Sequence, residues 1–200
     1  LVAIGGDGTV LEAAIWVRDT EIPVLGVNTG RLGFLSNVRI DEIDLAMDAV
    51  AAGKVWYEER LMLQVEVDGM ELGDFSYALN EVAIMKRDTS SMVAVEVLRD
   101  DAFVNNYWAD GLIVSTPTGS TAYSLSAGGP IVMPGSEVLC INPVAPHNLN
   151  NRPLVIPAEG MLQLVADGRE NQFLLSLDSR MFILDCLLYT SPSPRDSVVS

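Results

Sequence analysis

The N-terminal part of the chain combines short apolar runs with a helical pattern of apolar positions. Residues 1–4 form an apolar run that ends at glycines, which predicts a buried parallel strand. Apolar side chains at positions 10, 11, 14, 15 and 17 fit one helical face, and Thr9 can cap this helix. Because residues 23–27 predict the next strand, we expect a βαβ unit with a right-handed crossover.

A glycine-rich loop over residues 28–35 follows that second strand. A second helix is predicted over residues 41–52, since acidic residues open it, where the helix dipole favours them, and Gly53 can end it as a C-cap. This alternation is typical of a Rossmann-like α/β nucleotide-binding portion, which we place at residues 1–57.

From Tyr57 onward the apolar positions recur with a period of two, which is typical of half-buried strands. The alternating positions are Leu61, Leu63, Val65, Val67, Val93, Val95, Val97, Leu162, Leu164 and Ala166. Turns are predicted at Asp68-Gly69, at residues 99–101 and at Asp167-Gly168, after which residues 173–177 return as a partner strand. Hairpins at this spacing predict an all-β antiparallel sandwich over residues 58–185.

The last fifteen residues do not continue this pattern. The run from Cys186 to Asp196 resembles the translation of a common sequencing adapter, so we predict a non-native tail over residues 186–200. The alternative is a genuine Ser/Pro-rich tail. The chain also opens at Leu1, inside a strand-like run and without an initiator methionine, so we expect a truncated start.

The chain is strongly acidic, with a formal net charge of −15 and a pI near 4.2. A nucleic-acid protein needs a basic patch to displace counterions from phosphates, whereas the twelve Lys and Arg residues are scattered. No apolar run reaches the roughly eighteen residues of a membrane span, and no signal peptide is visible. We therefore expect no nucleic-acid or membrane partner and a cytoplasmic location.

Metal-binding side chains are few in this sequence. Cys140 and Cys186 form no CxxC motif, so reduced thiols are expected. The single histidine, His147, cannot support a His-rich zinc site. Any metal should be hard and oxygen-bound, so we expect Mg²⁺ held mainly by phosphates and no protein residue as a metal ligand.

The run Gly5-Gly6-Asp7-Gly8-Thr9 lies between the first strand and the first helix. Ligands of open α/β sheets bind at such carboxyl ends of strands, and a helix N-terminus favours phosphate. Asp7 would lie beside that phosphate as a general base for a hydroxyl. The alternative is a tight turn with a capping Asp. The run is not a P-loop, because no GxxxxGK[ST] pattern follows.

Two further polar pairs interrupt apolar strands. Asn80-Glu81 is flanked by apolar residues on both sides, and its side chains suit ribose hydroxyls; the alternative is a strand-end pair bonded to neighbouring backbone. Asp110-Gly111 could bind a ribose, an amide or an amino group, and the alternative is a hairpin turn. The similar pairs Asp68-Gly69 and Asp167-Gly168 are interpreted as structural.

Residues 116–130 pack hydroxyls and glycines into one uncharged stretch, directly after the apolar run 112–114. Ser120 or Thr121 can cap a short helix over residues 122–127, and Tyr123 offers a ring for stacking. A loop that only capped a helix would not need so many small polar residues. The segment therefore favours binding of a polar ligand, and together with the glycine-aspartate run it indicates a nucleotide enzyme.

Together these segments resemble the NAD kinase family over residues 1–185. The matching motifs are Gly5–Thr9, Leu32-Gly33-Phe34, Asn80-Glu81, Asp110–Pro130, Pro146-His147 and Arg152-Pro153. The glycine-aspartate motif is shared with lipid kinases and phosphofructokinases, whereas the TPTGSTAY run is highly specific. The sequence departs from the family at Trp108, where related enzymes often carry Arg, and at Ser91, where some carry His.

The resemblance implies a role for each matching position. Asp7 would accept the proton of the ribose 2′-hydroxyl, with Gly8 beside the phosphates, and Asp110 would contact the nicotinamide end or a neighbouring subunit's ligand. The other implied NAD- or ATP-binding residues are Phe34, Asn80, Glu81, Thr121, Ala122, Tyr123, Ser124, Ser126 and Arg180.

The implied activity is that of a transferase in NADP biosynthesis, which phosphorylates the 2′-hydroxyl of the adenosine ribose of NAD. ATP or inorganic polyphosphate would be the donor, with Mg²⁺ bridging its phosphates. The family's sites lie at subunit contacts, so a homodimer or homotetramer is expected. The alternatives are a lipid kinase, of the diacylglycerol or sphingosine type, and a non-catalytic NADP-binding regulator.

Overall fold

The computed structural model describes residues 1–30, 33–87, 92–148, 151–167, 172–185, 188–190 and 198–199. The chain divides into two compact units, residues 1–60 with 197–200 and residues 61–196. The predicted fold class, an α/β portion followed by an antiparallel β-sandwich, is confirmed.

The first unit contains a parallel sheet of three strands in the order β1–β2–β3. Its elements are β1 (Val2–Gly5), α1 (Asp7–Val17), β2 (Leu25–Asn28), β3 (Val38–Arg39), a 3₁₀ turn (Ile40–Glu42), α2 (Ile43–Ala51) and β4 (Glu59–Arg60). The short strand Val198–Val199 pairs antiparallel with β4. β1, α1 and β2 form the predicted βαβ unit.

The prediction that β1 is a buried parallel strand is confirmed for its parallel pairing and wrong for its burial. Ala3 packs with Val10 and Ala13 of α1 in the core of this unit. Val2 and Ile4 point to the opposite face of the strand and are 39% and 53% exposed. Helix α1 therefore covers one face of this sheet, while the apolar side chains of the other face stay open.

Helix α1 begins two residues earlier than its predicted cap. Gly6 is the N-cap in an extended conformation, and no side chain bonds to the first turn, so the prediction of a Thr9 cap is wrong. The Thr9 hydroxyl instead lies against Gly5, where an added Cβ would come within 2.1 Å of it. Asp7 occupies the first turn, where its negative charge suits the helix dipole.

The predicted glycine C-cap of α2 is confirmed. Gly53 has φ +64°, a conformation that glycine adopts without strain. The Lys54 N–H donates to the Ala49 carbonyl at 2.9 Å, and the Gly53 N–H donates to the Val50 carbonyl at 3.1 Å. These two bonds define a Schellman motif, which satisfies carbonyls that the end of the helix would leave unpaired.

The second unit is an antiparallel sandwich of two main sheets. Its elements are β5 (Leu63–Gln64), a 3₁₀ turn (Gly73–Phe75), β6 (Tyr77–Ala78), β7 (Glu81–Lys86), β8 (Val93–Arg99), β9 (Ala102–Ala109), β10 (Gly111–Ser115), a 3₁₀ turn (Thr118–Thr121), α3 (Tyr123–Ser126), β11 (Val138–Val144), β12 (Leu154–Pro157), β13 (Leu162–Asp167), β14 (Gln172–Leu177), β15 (Arg180–Asp185) and β16 (Leu188–Thr190). One sheet has the order β12–β11–β10–β7–β14–β15, the other has the order β16–β13–β8–β9, and β5 pairs with β6.

The period-two pattern correctly identifies the core of this unit. Nine of the ten alternating apolar positions are buried, and Leu61 is partly buried against them. They pack with residues of the six-stranded sheet, among them Ile84, Leu112 and Leu175. The strand over residues 61–67 is shorter than its pattern, because only Leu63–Gln64 pairs with a neighbour.

One predicted hairpin is wrong, and so is the alternative interpretation of Asp110-Gly111 as a hairpin turn. β13 pairs with β8 and β16, whereas β14 pairs with β7 and β15, so residues 162–167 and 172–177 belong to different sheets. β9 and β10 likewise lie in different sheets on either side of Asp110. In both places the chain passes between sheets, which lets consecutive strands bury their apolar faces in one core. Gly168 lies outside the described residues.

The other two predicted turns are confirmed. β8 and β9 form a hairpin whose turn holds Asp100 and Asp101 at φ 50° and 64°. Gly69 has φ +75°, and Val67 bridges to Met70 across the turn. Within the described part of the chain, no helix has both the length and the apolar character that a membrane crossing requires.

We expect Ile84→Ala to lower the free energy of unfolding by roughly 2–5 kcal/mol, because it leaves a cavity in a central strand. Ile84 is fully buried in β7, whereas Ile183 in the edge strand β15 is 50% exposed. The control Ile183→Ala removes the same atoms and should change stability by about 0.5 kcal/mol or less. Urea denaturation of both variants measures the difference, and equal losses would contradict the assigned core.

Candidate functional site

The Asp7 carboxylate binds three successive backbone N–H groups. Its Oδ2 accepts from the Phe34 N–H at 2.8 Å, and its Oδ1 accepts from the N–H groups of Leu35 and Ser36 at 3.0 and 3.1 Å. The Ser36 hydroxyl donates to the same oxygen at 3.1 Å. Asp7 thus ties the start of α1 to the segment that precedes β3.

Glycine is required where this segment passes Asp7. A Cβ added at Gly33 would lie 2.1 Å from Asp7 Oδ1, far inside van der Waals contact. The Asn28 side chain, at the end of β2, supports the same segment by donating to the Ser36 hydroxyl at 2.9 Å and accepting from the Gly30 N–H at 2.7 Å. Leu32, which the family resemblance includes, lies outside the described residues.

These contacts set the protonation of Asp7. Burial alone would raise the pKa of the Asp7 carboxyl. The hydrogen bonds from the N–H groups of Phe34, Ser36 and Leu35 together outweigh burial, so the pKa lies below its usual value. Asp7 is therefore ionised at neutral pH. A general base works best with a pKa near the operating pH, so in this arrangement Asp7 is a weak base.

The predicted site residues of the first unit lie together at the start of α1. Gly8 is exposed in the first turn, and the Phe34 side chain is 70% exposed next to the Asp7 contact. A pocket opens at the carboxyl ends of β2 and β3, where ligands of parallel sheets bind. It is lined by Asn28, Thr29, Gly30, Arg39, Ile40 and Asp41.

In the second unit, the Asn80-Glu81 pair is held by a buried carboxylate from a distant part of the chain. Asp178 Oδ1 accepts from the N–H groups of Asn80 and Glu81 at 2.8 and 3.1 Å, and its Oδ2 accepts from the Leu79 N–H at 2.9 Å. The alternative interpretation, a strand-end pair satisfied by neighbouring backbone, stays open for the side chains, since the Tyr123 N–H bonds to the Glu81 carboxylate. Glu81 opens β7, and Asn80 lies just before it.

The Glu81 side chain is only 7% exposed, and among the described residues no group donates to its Oε2. Burial and the negative charge of Asp178 raise its pKa to about 7, although the Tyr123 N–H, which bonds to this carboxylate, opposes the rise. A buried carboxylate oxygen without a donor is costly to a protein. Within the described part of the chain, Glu81 thus keeps one buried acceptor oxygen without a donor.

The loop after β10 packs directly on this pair. Thr116 donates its hydroxyl to the Leu79 carbonyl at 2.6 Å and its N–H to the Asn80 carbonyl at 2.9 Å. The Gly119 N–H donates to the Thr116 hydroxyl at 3.1 Å. A Cβ added at Gly119 would lie 2.0 Å from the Asn80 carbonyl oxygen, so only glycine fits there.

The predicted caps of α3 are wrong. The N-cap of this helix is Ala122, and no side chain bonds to its first turn. The Ser120 hydroxyl instead donates to the Pro117 carbonyl at 2.6 Å and accepts from the Val132 N–H at 3.0 Å, while Thr121 donates to Thr118. These hydroxyls fold the loop on itself because the loop is buried and its own polar groups need partners.

The remaining ligand-binding predictions in this segment lie around α3. Tyr123 is half exposed, Ser126 is exposed, and Thr121 and Ala122 are half-buried, so these four positions are open to a ligand. Ser124 is fully buried, and its carbonyl accepts from the buried Asn142 side chain at 2.9 Å. Ser124 thus lies on the buried side of the loop, and its predicted ligand contact stays a prediction.

Asp110 lies away from the Asn80-Glu81 pair. Asp110 precedes Gly111, the first residue of β10, whereas Glu81 lies opposite Ser115, the last residue of that strand. Gly111 and Ser115 are four positions apart, which is about 13 Å at the usual rise of a strand. Asp110 Oδ1 is 2.6 Å from Lys86 Nζ. Of the family departures, Trp108 is half exposed, and Ser91 lies outside the described residues.

The Arg180 guanidinium is used within the protein. Nη1 donates to the Phe75 carbonyl at 2.8 Å, Nη2 donates to the Tyr77 carbonyl, and Nη2 lies 3.9 Å from Asp178 Oδ2. Burial lowers its pKa, which the charge of Asp178 partly offsets. The predicted role of Arg180 as a ligand contact therefore competes with a structural one.

Sequence reasoning gave no role to two residues that build this site, although Thr116 lies in the segment 116–130 that was predicted to bind a polar ligand. Asp178 is separated from Asn80 by 98 residues, and Thr116 is separated from Leu79 by 37. The only local signal for Asp178 was an aspartate in a turn between two alternating strands. Among the described residues, no three His, Cys, Asp or Glu side chains cluster in a way that could hold a metal ion.

We expect Gly119→Ala to destabilise the chain by about 1–3 kcal/mol, because the added methyl group must displace the Asn80 backbone. Gly8→Ala is the matched control, since a Cβ there meets nothing within 4 Å. Alanine is the better helix former, so this control should leave stability equal or raise it by up to about 1 kcal/mol. Thermal denaturation compares the two, and an unchanged Gly119→Ala protein would contradict the close approach.

The raised pKa of Glu81 predicts a pH-dependent stability. The folded state holds the proton up to about pH 7, whereas the ordinary pKa of a Glu carboxyl is 4.5, so the free energy of unfolding should fall as pH rises between these values. The rise in pKa corresponds to about 3 kcal/mol, which Glu81→Gln removes. We therefore expect Glu81→Gln to gain stability relative to wild type from pH 5 to pH 8.

Denaturant titrations at both pH values measure this difference. Glu66→Gln, at an exposed position, is the control for the loss of one negative charge. A constant difference between wild type and Glu81→Gln at both pH values would contradict the buried, uncompensated carboxylate.

Comparison with known proteins shows matches to one enzyme family. Residues 1–55 match the model of the ATP-NAD kinase N-terminal domain, and residues 79–184 match that of the ATP-NAD kinase C-terminal domain. The chain is 45% identical over 196 residues to an NAD kinase of Cytophaga hutchinsonii and 48% identical over 183 residues to one of Flavobacterium johnsoniae. These matches cover 98% and 90% of the chain and 67% and 62% of the relatives.

Two solved structures are similar as well. Yeast NADH kinase complexed with NADH matches with a TM-score of 0.89 at 29% identity, over 98% of this chain and 58% of that one. An NAD kinase from Archaeoglobus fulgidus in complex with ATP matches with a TM-score of 0.77 at 28% identity, over 99% and 75%. The chain thus spans about two thirds of the length of its curated relatives. It belongs to the NAD kinase family.

Proposed function

We propose that the chain transfers the γ-phosphoryl group of ATP to the 2′-hydroxyl of the adenosine ribose of NAD, giving NADP. Its membership in the NAD kinase family supports this activity. The observation that carries the proposal is the Glu81 carboxylate, buried and with one oxygen that no described group satisfies. A ribose hydroxyl supplies the missing donor.

The surroundings of Glu81 suit the adenosine half of NAD. Asn80 precedes it and offers both a donor and an acceptor to the second ribose hydroxyl. Tyr123, whose N–H bonds to the Glu81 carboxylate, carries a half-exposed ring on which a base can stack. The neighbouring open positions Thr121, Ala122 and Ser126 complete the proposed NAD surface. The structure of yeast NADH kinase complexed with NADH supports a dinucleotide as ligand of this fold.

The first unit suits the phosphates of ATP. Gly6 and Gly8 flank Asp7 at the start of α1, where free N–H groups and the helix dipole favour negative charge. The Archaeoglobus fulgidus structure in complex with ATP supports ATP as donor. Mg²⁺ would enter with the nucleotide, bound mainly by phosphate oxygens, and supply neutralisation of the transferring group's charge.

Asp7 is the proposed proton acceptor for the ribose hydroxyl. Its lowered pKa makes it a weak base towards an ordinary alcohol. Phosphoryl transfer passes through a loose transition state, in which the attacking hydroxyl becomes acidic only as its bond to phosphorus forms. Asp7 would therefore take the proton late, and its charge would also help orient the hydroxyl.

Two other functions remain as alternatives to be tested. A lipid kinase shares the glycine-aspartate motif, and a non-catalytic NADP-binding regulator would keep the NAD surface without turnover. The relatives support neither, since they are named NAD kinases. A cytoplasmic location and a homodimer or homotetramer are further proposals, and light scattering tests the second of them.

We expect the purified chain to form NADP from NAD, ATP and Mg²⁺, and Asp7→Asn to lose turnover by about 10²-fold or more while still binding NAD. An enzymatic assay for NADP measures turnover, and calorimetry measures NAD binding. Asp68→Asn, in an exposed turn, is the matched control and should keep full turnover.

Three results would revise the proposal. Near wild-type turnover of Asp7→Asn would remove Asp7 as proton acceptor. NAD binding without NADP formation by the folded wild-type chain would favour the binding regulator. Phosphorylation of a diacylglycerol instead of NAD would favour the lipid kinase.

A further inference from the structure

We propose that Asp178 is the positioning residue of the NAD site: its buried carboxylate holds the peptide groups of residues 79–81 and so sets where the Asn80 and Glu81 side chains meet the ribose. This inference deepens the proposed function and rests on it. The contacts of Asp178 come from the turn between β14 and β15, far along the chain from the pair that it holds.

The first support is the number of N–H groups on one carboxylate. Asp178 accepts from Leu79, Asn80 and Glu81 at 2.9, 2.8 and 3.1 Å, so three consecutive amides converge on its two oxygens. Hydrogen bonds to an ionised acceptor are about twice as strong as neutral ones. No single hydroxyl or carbonyl oxygen can accept three such bonds at this geometry.

The second support is that the carbonyl groups of residues 79–81 are hydrogen-bonded as well. The carbonyls of Leu79 and Asn80 accept from the hydroxyl and the N–H of Thr116. The Glu81 carbonyl accepts from the N–H of Asp178 at 3.0 Å. All six backbone polar groups of residues 79–81 are therefore bonded, and the backbone from which the Asn80 and Glu81 side chains project is fixed.

The third support is that the protein compensates the carboxylate at this buried position: burial raises the pKa of Asp178, and the N–H groups of residues 79–81 and the charge of Arg180 oppose that rise. The Asp178 side chain is 1% exposed, and Arg180 Nη2 lies 3.9 Å from its Oδ2. Asp178 itself has φ +51°, a conformation that Asp tolerates better than most residues. A buried carboxylate is costly unless it is paired and hydrogen-bonded, and this one is both.

Asp178 also acts on Glu81 through its charge. The charged groups that face Glu81 are Asp178 from the β14–β15 turn, with Arg180 behind it. Among the other described elements, α3 contributes the Tyr123 N–H, and β10 contributes the uncharged Ser115. Burial is the main cause of the raised pKa of Glu81, and the charge of Asp178 adds to it. Removing that charge should lower the pKa of Glu81.

The test is Asp178→Asn, measured by NAD kinetics as a function of pH. The variant keeps the side-chain shape, but one oxygen becomes an NH₂ group that cannot accept a bond. We expect KM for NAD to rise about tenfold or more, with a smaller change in kcat. We also expect the limb of the pH profile that Glu81 controls to move to lower pH, a shift that a merely structural residue would not produce.

The matched control is Asp101→Asn. Asp101 also lies in a β-hairpin turn at positive φ, +64°, but it is exposed. Asn suits the same backbone conformation, so KM, kcat and the pH profile should stay at wild-type values. A second control repeats Asp178→Asn in the Glu81→Gln background. There the pH shift should vanish and the added rise in KM should be smaller, because both residues act through the same contact.

Unchanged KM and an unchanged pH profile in a folded Asp178→Asn protein would overturn the proposal. If Asp178→Asn does not fold, Asp178→Glu keeps the charge but displaces the carboxylate by one methylene. A raised KM in that variant supports the proposal, and a wild-type KM overturns it.

Amide hydrogen exchange separates this proposal from the activity itself. If the wild-type chain makes no NADP, the proposed function fails, yet positioning is still tested by exchange at residues 79–81. Asp178→Asn should speed exchange there at least tenfold relative to Asp101→Asn. Unchanged exchange would overturn the positioning role whether or not the chain is active.

Discussion

Three consecutive peptide N–H groups that converge on one carboxylate form the contact on which the rest of the candidate site depends. In the part of the chain that the structure describes, this contact occurs twice. Asp7 binds the N–H groups of residues 34–36 in the first unit, and Asp178 binds those of residues 79–81 in the second. In each case a carboxylate at the start of a helix or in a hairpin turn fixes a loop that carries predicted ligand contacts.

A glycine lies at close range in each of the two places. Gly33 approaches Asp7, and Gly119 approaches the Asn80 carbonyl, so that an added Cβ would lie 2.1 Å and 2.0 Å from an oxygen. In each loop the peptide backbone, rather than a side chain, occupies the space next to the polar group. At both positions close packing, rather than the conformational freedom that glycine offers to turns, accounts for the glycine.

The sequence predicted the elements better than their partners. The period-two pattern of Val93, Val95 and Val97 located a buried strand, since burial on one face leaves a local trace. It could not show that β13 and β14 belong to different sheets, because both carry the same kind of apolar face. The motifs located Asp7 and Glu81, whereas Asp178 was missed, because its partners lie nearly a hundred residues away. The predicted cap at Thr9 failed because the helix begins before Thr9, and the predicted cap at Ser120 failed because its hydroxyl bonds to the Pro117 carbonyl.

Burial decides how differently two similar carboxylates behave in this protein. Asp7 is partly exposed, and its N–H donors outweigh the effect of burial, so its pKa is lowered. Glu81 has a single N–H donor and a second carboxylate nearby, so burial dominates and its pKa rises to about 7. Protonation near neutral pH therefore concerns Glu81, the proposed ribose ligand, while Asp7 stays ionised. A pH dependence of NAD binding in this protein would accordingly report on the surroundings of Glu81. The charge of Asp178 contributes to those surroundings, while burial raises the pKa of Asp178 as well.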